Sequence, residues 1–195
     1  MNIATRAVLL ILCLISGVSC GQASDDPRSV AFRDDCGAAL QDIEKTNANI
    51  NASGWRVVKA DAHPELKAVM AFAESLDAEL VSSASVSYFQ KSIENFDVFL
   101  VLTHLPFEGE WLNGCYIYDF DETNIDRSSV IARWLGEEPT ETINHPNLVY
   151  QQKWVGPKLL PEMATIRIGV IAEGGSVATQ AGFSGAVWAA TAIAE

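Results

Sequence analysis

The sequence predicts an α+β domain: a mostly antiparallel or mixed sheet of about five to seven strands, with two N-terminal helices and one short later helix on one face. Two observations support this prediction. Apolar residues recur at helical spacing twice in the first half of the chain, and short apolar or alternating stretches separated by turn residues follow. Helical and extended stretches do not alternate regularly, which argues against a parallel βαβ sheet.

The first helix is expected to begin near Cys36, with Asp34 or Asp35 as its cap, and to end at Gly54. The residues on one face of this helix are separated by 4, 3, 4 and 3 positions: Cys36, Leu40, Ile43, Asn47 and Ile50. Residues 55–59 then form a short strand. The second helix follows Asp61 with Pro64 in its first turn, and its apolar stripe is Leu66, Val69, Met70, Ala73, Leu76 and Leu80.

Residues 83–88 alternate strictly between serine and larger or apolar side chains, which is typical of a half-buried strand. Glu94 and Asn95 form a turn into the apolar stretch 97–103, so the two strands are expected to pair as an antiparallel hairpin. After a loop at residues 106–113, residues 114–120 form a further strand.

The second half of the chain contains one more helix and at least two more strands. Asp126 is expected to cap a short helix with Val130, Ile131, Trp134 and Leu135 facing inward and Gly136 as its end. Residues 148–154 and 165–172 are predicted strands, and residues 173–176 are turn material. Residues 183–192 fit a strand or a buried helix equally well.

The N-terminus has the three parts of a secretory signal peptide: a basic start with Arg6, an apolar run at residues 7–15 and a zone of small residues. We expect residues 1–23 to be removed before Ser24. A rival site before Cys20 resembles a bacterial lipobox and would give a lipid-anchored envelope protein. Residues 24–33 are expected to be a flexible segment, and residues 34–195 a single globular domain.

The composition predicts an acidic exported protein, periplasmic or extracellular. All 25 acidic residues lie beyond the signal, which removes one of the 13 basic residues, so the expected mature net charge is −13. Such a surface repels nucleic acid and anionic lipid. No segment of the mature part is long and apolar enough for a transmembrane helix. Cys36 and Cys115 remain after the signal, and an even pair outside the cytoplasm predicts one disulfide.

One short motif suggests an enzyme. An apolar strand followed by Asp119-Phe-Asp121-Glu-Thr123 resembles the first motif of haloacid-dehalogenase-type phosphatases. The resemblance covers about ten residues and implies that Asp119 is the nucleophile, that Asp121 is the acid/base and that Mg²⁺ binds between them. The family also has a pair of acids after a later strand, whereas this chain offers only Glu173 there.

A non-catalytic binding or interaction module is therefore the preferred prediction, with the metal-dependent phosphatase and the Cys20-anchored protein as alternatives. The three histidines (His63, His104 and His145) share no metal-ligand spacing, so no metal and no cofactor are expected. The sequence does not indicate a particular partner or ligand.

Overall fold

A computed structural model describes residues 25–37, 40–122, 128–160 and 164–194. Within these residues, eight strands form one antiparallel sheet in the order β1-β2-β3-β4-β8-β7-β6-β5. The strands are β1 (Arg56–Val58), β2 (Ser85–Ile93), β3 (Phe96–Phe107), β4 (Glu110–Asp119), β5 (Glu141–His145), β6 (Val149–Val155), β7 (Thr165–Ile171) and β8 (Gly185–Ile193).

Six α-helices accompany the sheet in the described residues. They are α1 (Pro27–Phe32), α2 (Ile43–Ala52), α3 (Pro64–Leu76), α4 (Ala78–Ser83), α5 (Ser128–Leu135) and α6 (Ser176–Ala181). A π-helical turn, Arg33–Gly37, continues α1, and a 3₁₀ turn, Ala60–Ala62, precedes α3. The predicted fold, with five to seven strands and two N-terminal helices, is therefore wrong.

The two faces of the sheet bury different sets of side chains, because successive residues of a strand point to opposite sides. One side carries Leu100, Cys115 and Trp188, and we call it the disulfide face. Phe32 of α1, Ile50 of α2 and Ile131 of α5 pack against it in the larger core cluster. Helices α1, α2 and α5 thus cover this face.

The opposite side, the tyrosine face, carries Phe99, Val101, Tyr116 and Tyr118. Leu66 of α3 is fully buried against these side chains, in a second and smaller cluster. The expectation that all helices lie on one face is therefore also wrong. Helix α3 has an apolar stripe of its own, and the tyrosine face offers a second apolar surface that this stripe can cover.

Several predicted elements are present where the sequence placed them. The β2–β3 hairpin turns at Glu94 and Asn95, which both have positive φ (51° and 82°), as a two-residue hairpin turn requires. Pro64 occupies the first turn of α3, and Gly136 follows α5 with a φ of 70°. The proposed cap of α5, Asp126, lies outside the described residues.

Other segments differ from the prediction. Cys36 lies in the π-helical turn, and the helix that follows begins only at Ile43, capped by Asp42. The loop expected at 106–113 is instead a two-residue turn, Glu108 and Gly109, between two long strands. The undecided C-terminal segment is strand β8, in the middle of the sheet.

Residues 27–32, expected to belong to a flexible segment, form helix α1. Asp26 caps this helix by accepting a hydrogen bond from the Ser29 amide. Arg28, Ser29 and Phe32 are buried, at 3%, 0% and 0% exposure. The N-terminal helix is therefore part of the core.

Candidate functional site

The Asp119-x-Asp121 motif lies where β4 ends, and its two carboxylates have different surroundings. Asp119 is completely buried and Asp121 is exposed. One oxygen of Asp119 accepts a hydrogen bond from the Asp121 amide, at 3.1 Å, so the motif closes a local turn. The other oxygen accepts from the Arg28 guanidinium.

Arg28 lies at the centre of a buried ionic cluster. Besides Asp119, its guanidinium contacts Asp26 at 3.2 Å and Glu122 at 2.8 Å. Burial alone would lower the pKa of Arg28, but the hydrogen bond and charge of Asp119 and the charge of Asp26 raise it above the ordinary value. Arg28 is therefore a permanent cation, and it holds the Asp119 carboxylate in a structural contact.

The neighbouring residue, Ser29, makes a second contact between helix α1 and the sheet, inside the core. Its hydroxyl accepts a hydrogen bond from the indole N–H of Trp188, at 3.0 Å, and both side chains are buried. The first turn of α1 is thus fixed to the end of β4 through Arg28 and to the centre of β8 through Ser29. Asp119 is one of the residues that hold the N-terminal helix on the sheet.

No group of three or more His, Cys, Asp or Glu side chains in the described part of the chain has the geometry of a metal site. The phosphatase alternative needs a carboxylate free to attack phosphorus and a cation to bridge it to the substrate. Asp119 is instead engaged with Arg28, so the geometry favours a structural role. Catalysis by Asp119 and Asp121 stays an untested hypothesis.

The predicted cysteine pair is joined in the structure. Cys36 and Cys115 form a disulfide with a Cα–Cα distance of 5.5 Å, within the usual range for such bonds. Both residues are fully buried. The bond fixes the π-helical turn to the central strand β4. Cys20 and the predicted signal lie outside the described residues, and no helix among those described is long and apolar enough to cross a membrane.

A cavity of about 240 Å³ opens on the tyrosine face. Tyr116 and Tyr118 of β4, Arg167 of β7, Gln151 of β6 and Phe183 line it. The small residues Gly169 and Ala189 also line the cavity. A cavity forms here because these small side chains leave space beside the large rings of the neighbouring strand.

The polar groups of this cavity are suited to an anion. Tyrosine hydroxyls are protonated at neutral pH, and burial raises the pKa of Tyr116 and Tyr118 further; the Tyr116 hydroxyl also has a hydrogen bond with Thr103. Arg167 is exposed, and no carboxylate of the described residues lies within salt-bridge distance of its guanidinium. A cation and two neutral phenols therefore share one largely apolar cavity.

Sequence reasoning did not find this cavity or the Arg28 cluster. Tyr116, Gln151 and Arg167 belong to three different strands, and the order of those strands in the sheet is not visible in the sequence. Tyr116 and Tyr118 share a strand face in the sequence pattern, which was the only available signal. Comparison of the chain with protein-family models, with curated proteins and with solved structures finds no match.

Proposed function

We propose that this protein is an exported binding module that holds a small, largely apolar ligand with an anionic group in the cavity on the tyrosine face. The observation that carries the proposal is the combination of Arg167, which has no carboxylate partner among the described residues, with two protonated tyrosines in one cavity. A site with apolar walls and a few convergent polar groups is typical of small-molecule binding.

Charge supports an anionic ligand at this place in particular. The whole chain carries a net charge of −12, so an anion has no general attraction to this protein. It gains stabilisation only near an unpaired cation, and partial desolvation in the cavity strengthens that interaction. The volume of about 240 Å³ is below the range for drug-sized ligands, so the ligand is expected to be small.

Export and the disulfide are consistent with a module that works outside the cytoplasm. The Cys36–Cys115 bond persists in an oxidising compartment, and the acidic surface favours solubility there. Binding in the cavity does not require a catalytic group. The envelope-anchored alternative through Cys20 is compatible with the same ligand site.

The test is binding of a small aromatic sulfonate, benzenesulfonate, measured by isothermal titration calorimetry. We expect Arg167→Gln to weaken binding by about tenfold, the equivalent of a lost charge-assisted contact of roughly 1.4 kcal/mol. Ala189→Phe fills the cavity and should abolish binding. Unchanged affinity in both variants would show that the probe does not bind in this cavity.

Arg56→Gln is the matched control. Arg56 lies on the edge strand β1, at the other end of the sheet, and its exposed guanidinium donates a hydrogen bond to Gln90. The substitution removes the same charge from the protein without touching the cavity. If both variants weaken probe binding equally, the effect comes from the net charge of the protein, and the proposed site is contradicted.

A further inference from the structure

A row of polar side chains crosses three strands on the disulfide face, well apart from the tyrosine-face cavity. Ser85 of β2 is the cross-strand partner of His104 of β3, and His104 is the partner of Asn113 of β4. Direct partners in antiparallel strands have their Cβ atoms about 4.5–5.5 Å apart on the same face. The pairing therefore places a hydroxyl, an imidazole and an amide side by side.

The amide of Asn113 determines which nitrogen of His104 carries the proton. Asn113 is completely buried, and its NH₂ group donates to the backbone carbonyls of Leu40 and Gln41 at 2.7 and 2.9 Å. Its oxygen must therefore face the His104 ring, where it lies 2.7 Å from Nδ1. Because that oxygen can only accept, Nδ1 is the protonated nitrogen and Nε2 of the neutral ring carries a lone pair.

Stacking also fixes the orientation of the His104 ring. It stacks on Trp111 with a centroid distance of 4.3 Å and an angle of 5° between the planes. An imidazole oriented by a side-chain acceptor on Nδ1, with Nε2 free, is the arrangement that general bases use in nucleophilic catalysis.

His104 and Ser85 both line a cleft of about 150 Å³, and the first turn of α2 forms another part of its wall, at Ile43 and Glu44. Asp42 caps this helix by accepting from the Lys45 amide. The first amides of a helix have no partner within it, so those of Ile43 and Glu44 need acceptors from outside the helix.

We propose that Ser85, His104 and Asn113 form a second site that transfers acyl groups from small carboxylic esters. Ser85 Oγ attacks the ester carbonyl carbon while its proton passes to His104 Nε2, and the carbonyl oxygen becomes an oxyanion facing the first turn of α2. When the ester C–O bond breaks, the imidazolium returns the proton to the leaving alkoxide, which departs as the alcohol. Water, deprotonated by His104, then hydrolyses the acyl-serine to the carboxylic acid and restores Ser85.

The hydroxyl of Ser85 and the ring of His104 are not hydrogen-bonded in the structure. Such contacts are often long in unliganded sites and tighten when substrate binds. Asn113 is a positioning residue, because it acts only through the His104 ring. It is uncharged and cannot stabilise the imidazolium as an aspartate would, so slow turnover is expected.

The test is covalent labelling of the purified protein with a fluorophosphonate, followed by peptide mass spectrometry, together with hydrolysis of 4-nitrophenyl acetate. Attack of Ser85 on phosphorus expels fluoride and leaves a stable adduct. We expect the adduct on Ser85, its loss in Ser85→Ala, and labelling and hydrolysis at least about 100-fold slower in His104→Phe, which keeps the stacking on Trp111 but lacks the base.

Ser87→Ala is the matched control, because Ser87 lies two residues further along the same strand and opposite Leu102. This variant should label and hydrolyse at the wild-type rate. Absence of labelling, an adduct on Ser87, or an unchanged rate in His104→Phe would each overturn the proposal. Should His104→Phe fail to fold by circular dichroism, the comparison of Ser85→Ala with Ser87→Ala still decides, since Ser85 is exposed. The labelling and hydrolysis of these variants do not depend on whether the cavity of the tyrosine face binds a ligand.

Discussion

Arg28 determines the surroundings of Asp119, and the two residues are 91 positions apart in the sequence. The motif around Asp119 was visible because the residues that form it are adjacent. Arg28 was not visible, since an arginine beside acids in a short N-terminal segment looks like a solvated charge. Only the packing of α1 on the sheet brings the pair together, so the sequence could suggest a special role for Asp119 but not which role.

We expect Asp119→Ala to lower the free energy of unfolding by about 1.5–3 kcal/mol, because it removes a charge-assisted hydrogen bond of the buried Arg28, which keeps Asp26 and Glu122 as partners. Asp121→Ala removes an exposed carboxylate of the same motif and should change stability by less than about 0.5 kcal/mol. Urea unfolding of the two variants measures the difference, and equal losses would contradict the structural role of Asp119.

The conservative variant Asp119→Asn tests the phosphatase hypothesis. We expect the wild-type protein not to hydrolyse an aryl phosphate in the presence of Mg²⁺. Magnesium-dependent turnover that disappears in a folded Asp119→Asn variant would establish the catalytic alternative instead.

Elements with a strong local signal were predictable, and those that depend on tertiary contacts were not. The β2–β3 hairpin was visible because two alternating or apolar stretches flank Glu94 and Asn95, and α3 was visible from Pro64 and its apolar stripe. Strand β5 was missed because four of its five residues are polar and exposed. Helices α1 and α6 have six residues each, which is too short for a periodic pattern to identify them.

The disulfide ties the π-helical turn to the sheet. The turn has five residues, and Cys36 links it covalently to Cys115 of β4. The two cysteines are 79 positions apart in the sequence. The bond restricts the unfolded chain, which in the chain-entropy model contributes about 4 kcal/mol for a loop of this size.

We therefore expect the double variant Cys36→Ala/Cys115→Ala to lose about 4 kcal/mol of unfolding free energy. Chemical denaturation under non-reducing conditions measures the loss, and adding a reductant should bring the wild-type protein close to the variant while leaving the variant unchanged. A variant as stable as the oxidised protein would show that the core alone holds this turn in place.

At the scale of the whole molecule, the sheet consists of two four-stranded meanders. Strands β1 to β4 follow one another in sequence and in space, as do β5 to β8, and the pairing of β4 with β8 joins the two halves. The tyrosine-face cavity takes Tyr116 and Tyr118 from the first half and Gln151 and Arg167 from the second. It exists only where the halves meet, which is why no local pattern in the sequence could predict it. The row of Ser85, His104 and Asn113 lies within one half, yet its detection also required the strand register.

The N-terminal helix determines where the chain can be shortened. Phe32 is fully buried in the main core, Arg28 holds Asp119, and Ser29 holds Trp188. The predicted removal of the signal before Ser24 would leave all of these contacts in place. A chain that starts at Asp34 lacks them, although the sequence analysis placed the globular domain from that residue onwards.

We expect the chain starting at Asp34 to lose at least about 3 kcal/mol of unfolding free energy relative to the chain starting at Ser24, because the loss of one buried phenylalanine alone costs that much. Thermal or urea unfolding of the two purified chains measures the difference. Mass spectrometry of the protein from its native host should correspondingly find an N-terminus at or near Ser24, and a diacylated Cys20 would instead establish the lipid-anchored alternative. Equal stability of the two chains would show that α1 is dispensable and that the signal could be cut further downstream without cost to the fold.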